Sequence, residues 1–154
     1  MPKIDVATAP LDEGSGYPRP FDEPCRQRTR QRLGDAAGLT QFGVNLLILP
    51  SGSWSSQRHW ESTEDEFVWV LEGEVVLVTD AGETLLRAGD CAGFAAGVAD
   101  GHHLQNRSGR PARLLEVGSR HPDTNWTEYP GIDLRWSATS GAIHRDGTPY
   151  EKGG

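Results

Sequence analysis

Lysine is almost missing from this chain: all but two of its 15 basic residues are arginine. Cysteine is nearly as scarce. Cys25 and Cys91 lie 66 positions apart and neither belongs to a Cys-x-x-Cys pair, which excludes a thiolate metal cluster and a disulfide framework. In a chain without export they are expected to be reduced thiols, with Cys91 small and buried between its flanking turn residues. No apolar run approaches the ~18 residues of a membrane helix. The opening MPKIDVATAPLDEG has no apolar segment of the secretory type, so a cytoplasmic protein with no membrane partner is expected. Positive charge is in deficit, 15 Lys and Arg against 22 Asp and Glu for a net −7. That argues against a general nucleic-acid binder, which needs a basic face to displace counterions. No Gly-x-Ser-x-Gly, Gly-x-Gly-x-x-Gly or P-loop is present, so a serine-hydrolase elbow and nucleotide-phosphate loops are not expected. A helical period is sustained nowhere, although Asp35-Ala36-Ala37 has room for one turn.

Turn formers are abundant instead, with 19 Gly and 10 Pro among 154 residues. Residues 1–24, with Pro10, Pro18, Pro20 and Pro24, read as an extended arm. Arg26, Arg28, Arg30 and Arg32 follow at spacing two, which places them on one face of a strand. A solvated edge or an intersubunit rim accounts for such a row, and an anion contact is the alternative. From about 38 to 118 short β segments alternate with turns. They are 42–49, 66–71, 74–79, 83–87, 102–106 and 112–117, rich in valine and leucine. Spacing of this kind predicts an all-β sandwich or barrel. Residues 119–154 hold three prolines and five glycines and read as an irregular wrapping tail. The closing Gly153-Gly154 is expected to be disordered. The triplets Asn106-Arg107-Ser108 and Asn125-Trp126-Thr127 match the glycosylation sequon, which has no meaning without export.

Chemistry concentrates in two stretches. In the first, His59 and Glu61 leave the same face of an extended segment. Glu66 heads a row completed by Val68 and Val70, with Phe67, Trp69 and Leu71 on the opposite face. A carboxylate at the head of an apolar row needs a cation or a proton, and a divalent metal beside His59 and Glu61 would supply the cation. In the second stretch His102, Leu104 and Asn106 share one face, so His103 points away from it and is expected to be packed or on the surface. Arg58 likewise faces away from His59, toward an ion pair with Glu64 or Asp65. The two stretches converge only if the sheet rolls up.

These residues resemble the two motifs of the cupin superfamily. The first motif maps to Gly52, six residues, His59-Trp60-Glu61, four residues, Glu66, six residues, Gly73. The second maps to Gly89, five residues, Ala95-Ala96-Gly97, four residues, His102, three residues, Asn106. The match covers roughly 40–118 and looks like small bacterial single-domain cupins, some labelled sugar-phosphate isomerase-like or regulator. The resemblance implies a double-stranded β-helix, a jelly-roll barrel over 25–118, often paired as a homodimer. It implies a mononuclear site of His59, Glu61, Glu66 and His102. Two positions depart from the pattern: Glu61 replaces the second His, and Ala95 replaces a Pro.

Two imidazoles and two carboxylates suit Mn, Fe, Ni or Zn, and the added carboxylate favours the harder Mn(II) or Fe(II). The implied activity is that of a metal-dependent enzyme on a small polar molecule, of dioxygenase, isomerase or lyase type, with no catalytic residue assigned. The alternatives are a non-enzymatic ligand-binding or sensing barrel with a decayed site, in which Glu61 faces solvent, and an inert structural dimer.

Overall fold

A computed structural model describes residues 3–151; Gly153-Gly154 lies outside them. The strands in chain order are β1 (Leu11–Glu13), β2 (Thr29–Arg32), β3 (Phe42–Leu49), β4 (Trp60–Glu61), β5 (Glu66–Glu72), β6 (Glu74–Thr79) and β7 (Gly82–Arg87). They continue with β8 (Cys91–Phe94), β9 (His103–Gln105), β10 (Ala112–Ser119), β11 (Trp126–Glu128), β12 (Arg135–Ser137) and β13 (Gly141–Ile143). One α-helical turn, α1 (Leu33–Ala36), lies between β2 and β3. No helix among the described residues is long and apolar enough to cross a membrane.

The strands form a double-stranded β-helix. One wall is a six-stranded antiparallel sheet in the order β1-β2-β3-β10-β5-β8. The facing strands are β7-β6-β9, with β13-β12-β11-β4 beside them. The arm therefore contributes an edge strand, β1, and the tail contributes three short strands, one of which pairs with β4.

A single change of side-chain character along three neighbouring strands decides where the core ends and the site begins. On β3, Leu49 and Leu47 point inward and are fully buried, and Asn45 follows. On β10 the same row reads Ala112, Leu114, Glu116, and on β5 it reads Val70, Val68, Glu66. The registers Leu49↔Ala112, Leu47↔Leu114 and Asn45↔Glu116 bring the first two rows level. On β5 the change comes one level further along, since Val70 lies opposite Leu114, Val68 opposite Glu116 and Glu66 opposite Gly118. One end of the barrel is thus filled by Leu47, Leu49, Val68, Val70, Val75, Leu104 and Leu114. The other end is lined by polar groups. Burial of these apolar side chains, each contributing about 1.5–3 kcal/mol, supplies the scaffold. The tight β5–β6 turn rests on Gly73, whose φ of 81° strains any side chain and where a Cβ would stand 3.0 Å from the carbonyl oxygen of Pro111.

Three sequence expectations need correction. Cys91 is exposed, because it starts β8 on the outer side of the wall opposite Trp69. Arg58 pairs with Asp80, not with Glu64 or Asp65, because its guanidinium reaches the β6–β7 turn and also donates to the carbonyls of Gly101 and Pro130. The arginine row is only in part a solvated edge: Arg26 stays exposed and Arg32 partly so, whereas Arg28 is buried and Arg30 is largely so, both turned into the polar end of the barrel.

Candidate metal centre

His59 and His102 come from distant stretches and are locked side by side by two backbone hydrogen bonds. His59 N donates to His102 O at 3.1 Å, and His102 N donates to His59 O at 2.8 Å. Their rings lie 4.8 Å apart. Glu66, at the start of β5, faces both: its Oε2 is 2.8 Å from His102 Nε2 and 3.4 Å from His59 Nε2. Among the described residues these three form the one group whose ligand atoms all lie within 4.8 Å of one another.

The surroundings orient the group. His59 Nδ1 lies 2.9 Å from the carbonyl of Gln57 and 3.2 Å from Ser56 Oγ. A carbonyl only accepts, so Nδ1 carries a proton and the ring is fixed with Nε2 toward Glu66. The His102 ring stacks on Phe94 at 3.5 Å. Its Nδ1 is buried and has no hydrogen-bond partner among the described residues. Burial disfavours charge on His59, but the Glu66 and Glu61 carboxylates outweigh it and raise its pKa above the ordinary value. Burial also acts against an ionised Glu66, yet the two histidines outweigh it and hold its carboxyl well below the usual range.

Glu61 stands at the margin of the group. Its Oε1 is 3.7 Å from His59 Nε2, and its Oε2 accepts hydrogen bonds from Asn125 Nδ2 at 2.6 Å and Thr127 Oγ1 at 2.8 Å. Burial pushes its pKa up, against the pull of His59 and Asn125. It does not face bulk solvent. His103, on the other side of the strand, is buried with its Nδ1 3.0 Å from the carbonyl of Ser56, against the edge of Trp54.

The donor set suits a divalent ion. Metal–ligand bonds of about 2.0–2.2 Å place neighbouring donor atoms roughly 3 Å apart, and the two Glu66 contacts bracket that spacing. The group opens onto a cavity of about 380 Å³ at the polar end of the barrel. A second opening of about 200 Å³, lined by Glu61, Glu66, His102 and Val98, reaches it from between β4 and β8.

Several residues of this cavity were not legible as site residues. Arg30 grips Glu116 through Nε–Oε2 at 2.7 Å and Nη2–Oε1 at 2.9 Å. Tyr129 stands with its ring 5.8 Å from that of His59 and 5.6 Å from that of Tyr17. The signal for Glu116 was present, since it interrupts the inward row Ala112, Leu114 as Glu66 interrupts Val68 and Val70. Asn125 and Thr127, passed over as a sequon, also share a face by their spacing of two. Tyr17 and Tyr129 carried no such signal.

A family model described as "Cupin domain" matches residues 45–118. No functionally curated protein matches the chain. Among solved structures, a sugar phosphate isomerase of the cupin superfamily from Silicibacter pomeroyi is 43% identical, with a TM-score of 0.89 over 97% of this chain and 96% of that one. A putative sugar phosphate isomerase from Acidithiobacillus ferrooxidans is 24% identical, with a TM-score of 0.75 over 88% and 86%. A predicted oxalate decarboxylase from Thermotoga maritima is 19% identical, with a TM-score of 0.63 over 77% and 99%, and shares the fold. With its β-helix, its paired motifs and a relative of that identity along almost the whole length, the chain belongs to the cupin superfamily.

Proposed function

We propose that this protein is a mononuclear divalent-metal enzyme that isomerises a small phosphorylated sugar. The observation that carries the reading is the convergence of His59 Nε2, His102 Nε2 and Glu66 Oε2 at the wall of a cavity of about 380 Å³. The choice of reaction is supported by the name of the 43% identical relative. His59, Glu66 and His102 would hold the ion and Glu61 would add a fourth donor, while Asn125 and Thr127 fix one of its two oxygens. Mn(II) or Fe(II) fits two imidazoles and two carboxylates best, with Ni and Zn as competitors.

An aldose–ketose interconversion moves a proton between neighbouring carbons, and a bound divalent ion supplies the Lewis acidity that polarises the substrate carbonyl. The chain's own residues bind and orient. Burial raises the pKa values of Tyr17 and Tyr129, so both phenols stay protonated and serve as donors or walls, not as bases. The Arg30–Glu116 pair satisfies its own charge and stiffens the wall. The compartment proposed is the cytoplasm, in keeping with two unpaired cysteines.

Elemental analysis of the purified full chain, with His59→Ala and Glu66→Ala as controls, tests the centre. Near-unit occupancy lost in both variants is expected. No metal after reconstitution with Mn, Fe, Ni and Zn overturns the reading. Glu61→His should raise the affinity for Ni or Zn, and an unchanged profile removes Glu61 from the ligand set. NMR of aldose and ketose phosphates incubated with the loaded protein tests the reaction. A second reading follows from the position of Glu61 at the margin. Two histidines and one carboxylate with open positions are the donor set of non-haem Fe(II) oxygenases, and substrate-dependent oxygen uptake by the Fe-loaded protein would select it.

A further inference from the structure

Among the described residues Arg28 is a buried cation without an anion. It is 8% exposed and lines the same cavity as the proposed ligands. Its Nε donates to the carbonyl of Gly14 at 2.9 Å, and its Nη1 donates to the carbonyl of Ser55. Both acceptors are neutral. The other arginines of the row each have a carboxylate: Arg26 has Asp22, Arg30 has Glu116, and Arg32 has Asp12 and Asp35. Among the described residues Arg28 has none.

The neighbourhood sharpens the imbalance. Arg30 Nη2 donates to the same Ser55 carbonyl, at 3.0 Å, so two guanidinium groups meet at one oxygen. Glu116 is the carboxylate ion-paired there, and Arg30 takes it with both oxygens. The face of Tyr17, 5.8 Å from Arg28 Cζ, is the other electron-rich group at hand. With Nε and Nη1 tied to carbonyls, the Nη2 side of Arg28 makes no hydrogen bond among the described residues. Arg30 and Glu116 satisfy one another, so among the described residues Arg28 is the arginine of the wall left without an ion-pair partner. Arg120, also on the cavity wall, is paired with Asp35 at 2.6 Å. An unpaired buried charge is costly, and a guanidinium is shaped for the two oxygens of a carboxylate or phosphate.

We propose that Arg28 anchors the oxyanion of the substrate, a phosphate or a carboxylate, while the metal-facing side of the cavity takes the reacting oxygens. Arg28 is then a specificity-determining residue: small ligands with an oxyanion at one end are accepted and their neutral analogues are refused. The assignment of the reacting end rests on the metal-enzyme reading, whereas the anchor can be tested apart from it.

The test titrates inorganic phosphate, and separately acetate, into the metal-free and the Zn-loaded full chain by calorimetry, with metal content measured on the same samples. Arg28→Met should weaken anion binding on the order of ten- to a hundredfold and leave metal occupancy intact. Arg28→Lys should fall between the two. The preferred anion identifies the oxyanion. Side-chain ¹⁵N NMR of the wild-type chain gives the answer even if a variant fails to fold, because the Arg28 Nε–H signal should move on titration. Equal affinity in Arg28→Met, or a wild-type chain that binds neither anion and leaves that signal still, overturns the proposal. Anion binding at Arg28 in a chain that never takes up metal upholds the anchor and removes the metal-enzyme reading.

Discussion

The carboxylate of Glu61 is shaped by two side chains from the far end of the chain. Asn125 and Thr127 hold Oε2, which leaves Oε1 as the oxygen facing His59. Partners of this kind typically change metal affinity by about 10–100-fold when removed. The double variant Asn125→Ala/Thr127→Val is therefore expected to lower metal affinity by about tenfold in a chelator competition titration, with the fold unchanged by circular dichroism. His103 makes a different prediction. Burial lowers its pKa to about 4, against an ordinary value near 6.5. The unfolded chain thus binds more protons than the folded one between those values. The stability conferred by the neutral imidazole is complete above pH ~6.5 and is lost as the pH falls toward 4, by up to about 3 kcal/mol. Denaturant unfolding of His103→Gln should show a flatter dependence over that window than the wild type. Equal slopes would place the acid sensitivity elsewhere.

At the level of elements, β3, β5 and β10 each run from apolar to polar, β3 and β10 at one height and β5 one level further along, so core and site share three strands. Leu114 sits at the last apolar level before Glu116, fully buried and opposite Leu47. Leu114→Ala leaves a cavity that strands paired on both sides cannot close, at a cost of about 2–5 kcal/mol. The fall in melting temperature should be accompanied by weaker metal binding, because the Glu116 level rests on that layer. An intact metal affinity in the destabilised variant would show that the two ends of the barrel are mechanically independent. Strand positions were largely legible beforehand: 42–49 and 74–79 coincide with β3 and β6, since valine- and leucine-rich runs closed by Gly or Pro turns specify strands locally. The tail strands were not legible. β11 to β13 are three residues each, too short for alternation to show, and they form because β4 offers an edge to pair with.

For the whole molecule, the outer face of the six-stranded wall carries Phe67, Trp69 and Leu71, which are 38%, 46% and 48% exposed. A contiguous apolar row of this kind marks an interaction surface, and it supports the homodimer that we propose as the assembly. Trp69→Glu is expected to shift the sedimentation coefficient to that of a monomer at micromolar concentration, with metal content unchanged. A wild-type chain that already sediments as a monomer would end the proposal.

The sequence by itself determined the β-rich architecture and the directions of His59, Glu61, Glu66 and His102, because strand alternation and turn chemistry act over a few residues. The tertiary structure decided the rest. Only the rolled sheet brings His59 to His102, sets Arg28 beside Arg30 at one carbonyl, and carries Asn125 and Thr127 to Glu61. Those contacts join residues tens of positions apart, and no local pattern encodes which distant side chains will share one buried volume.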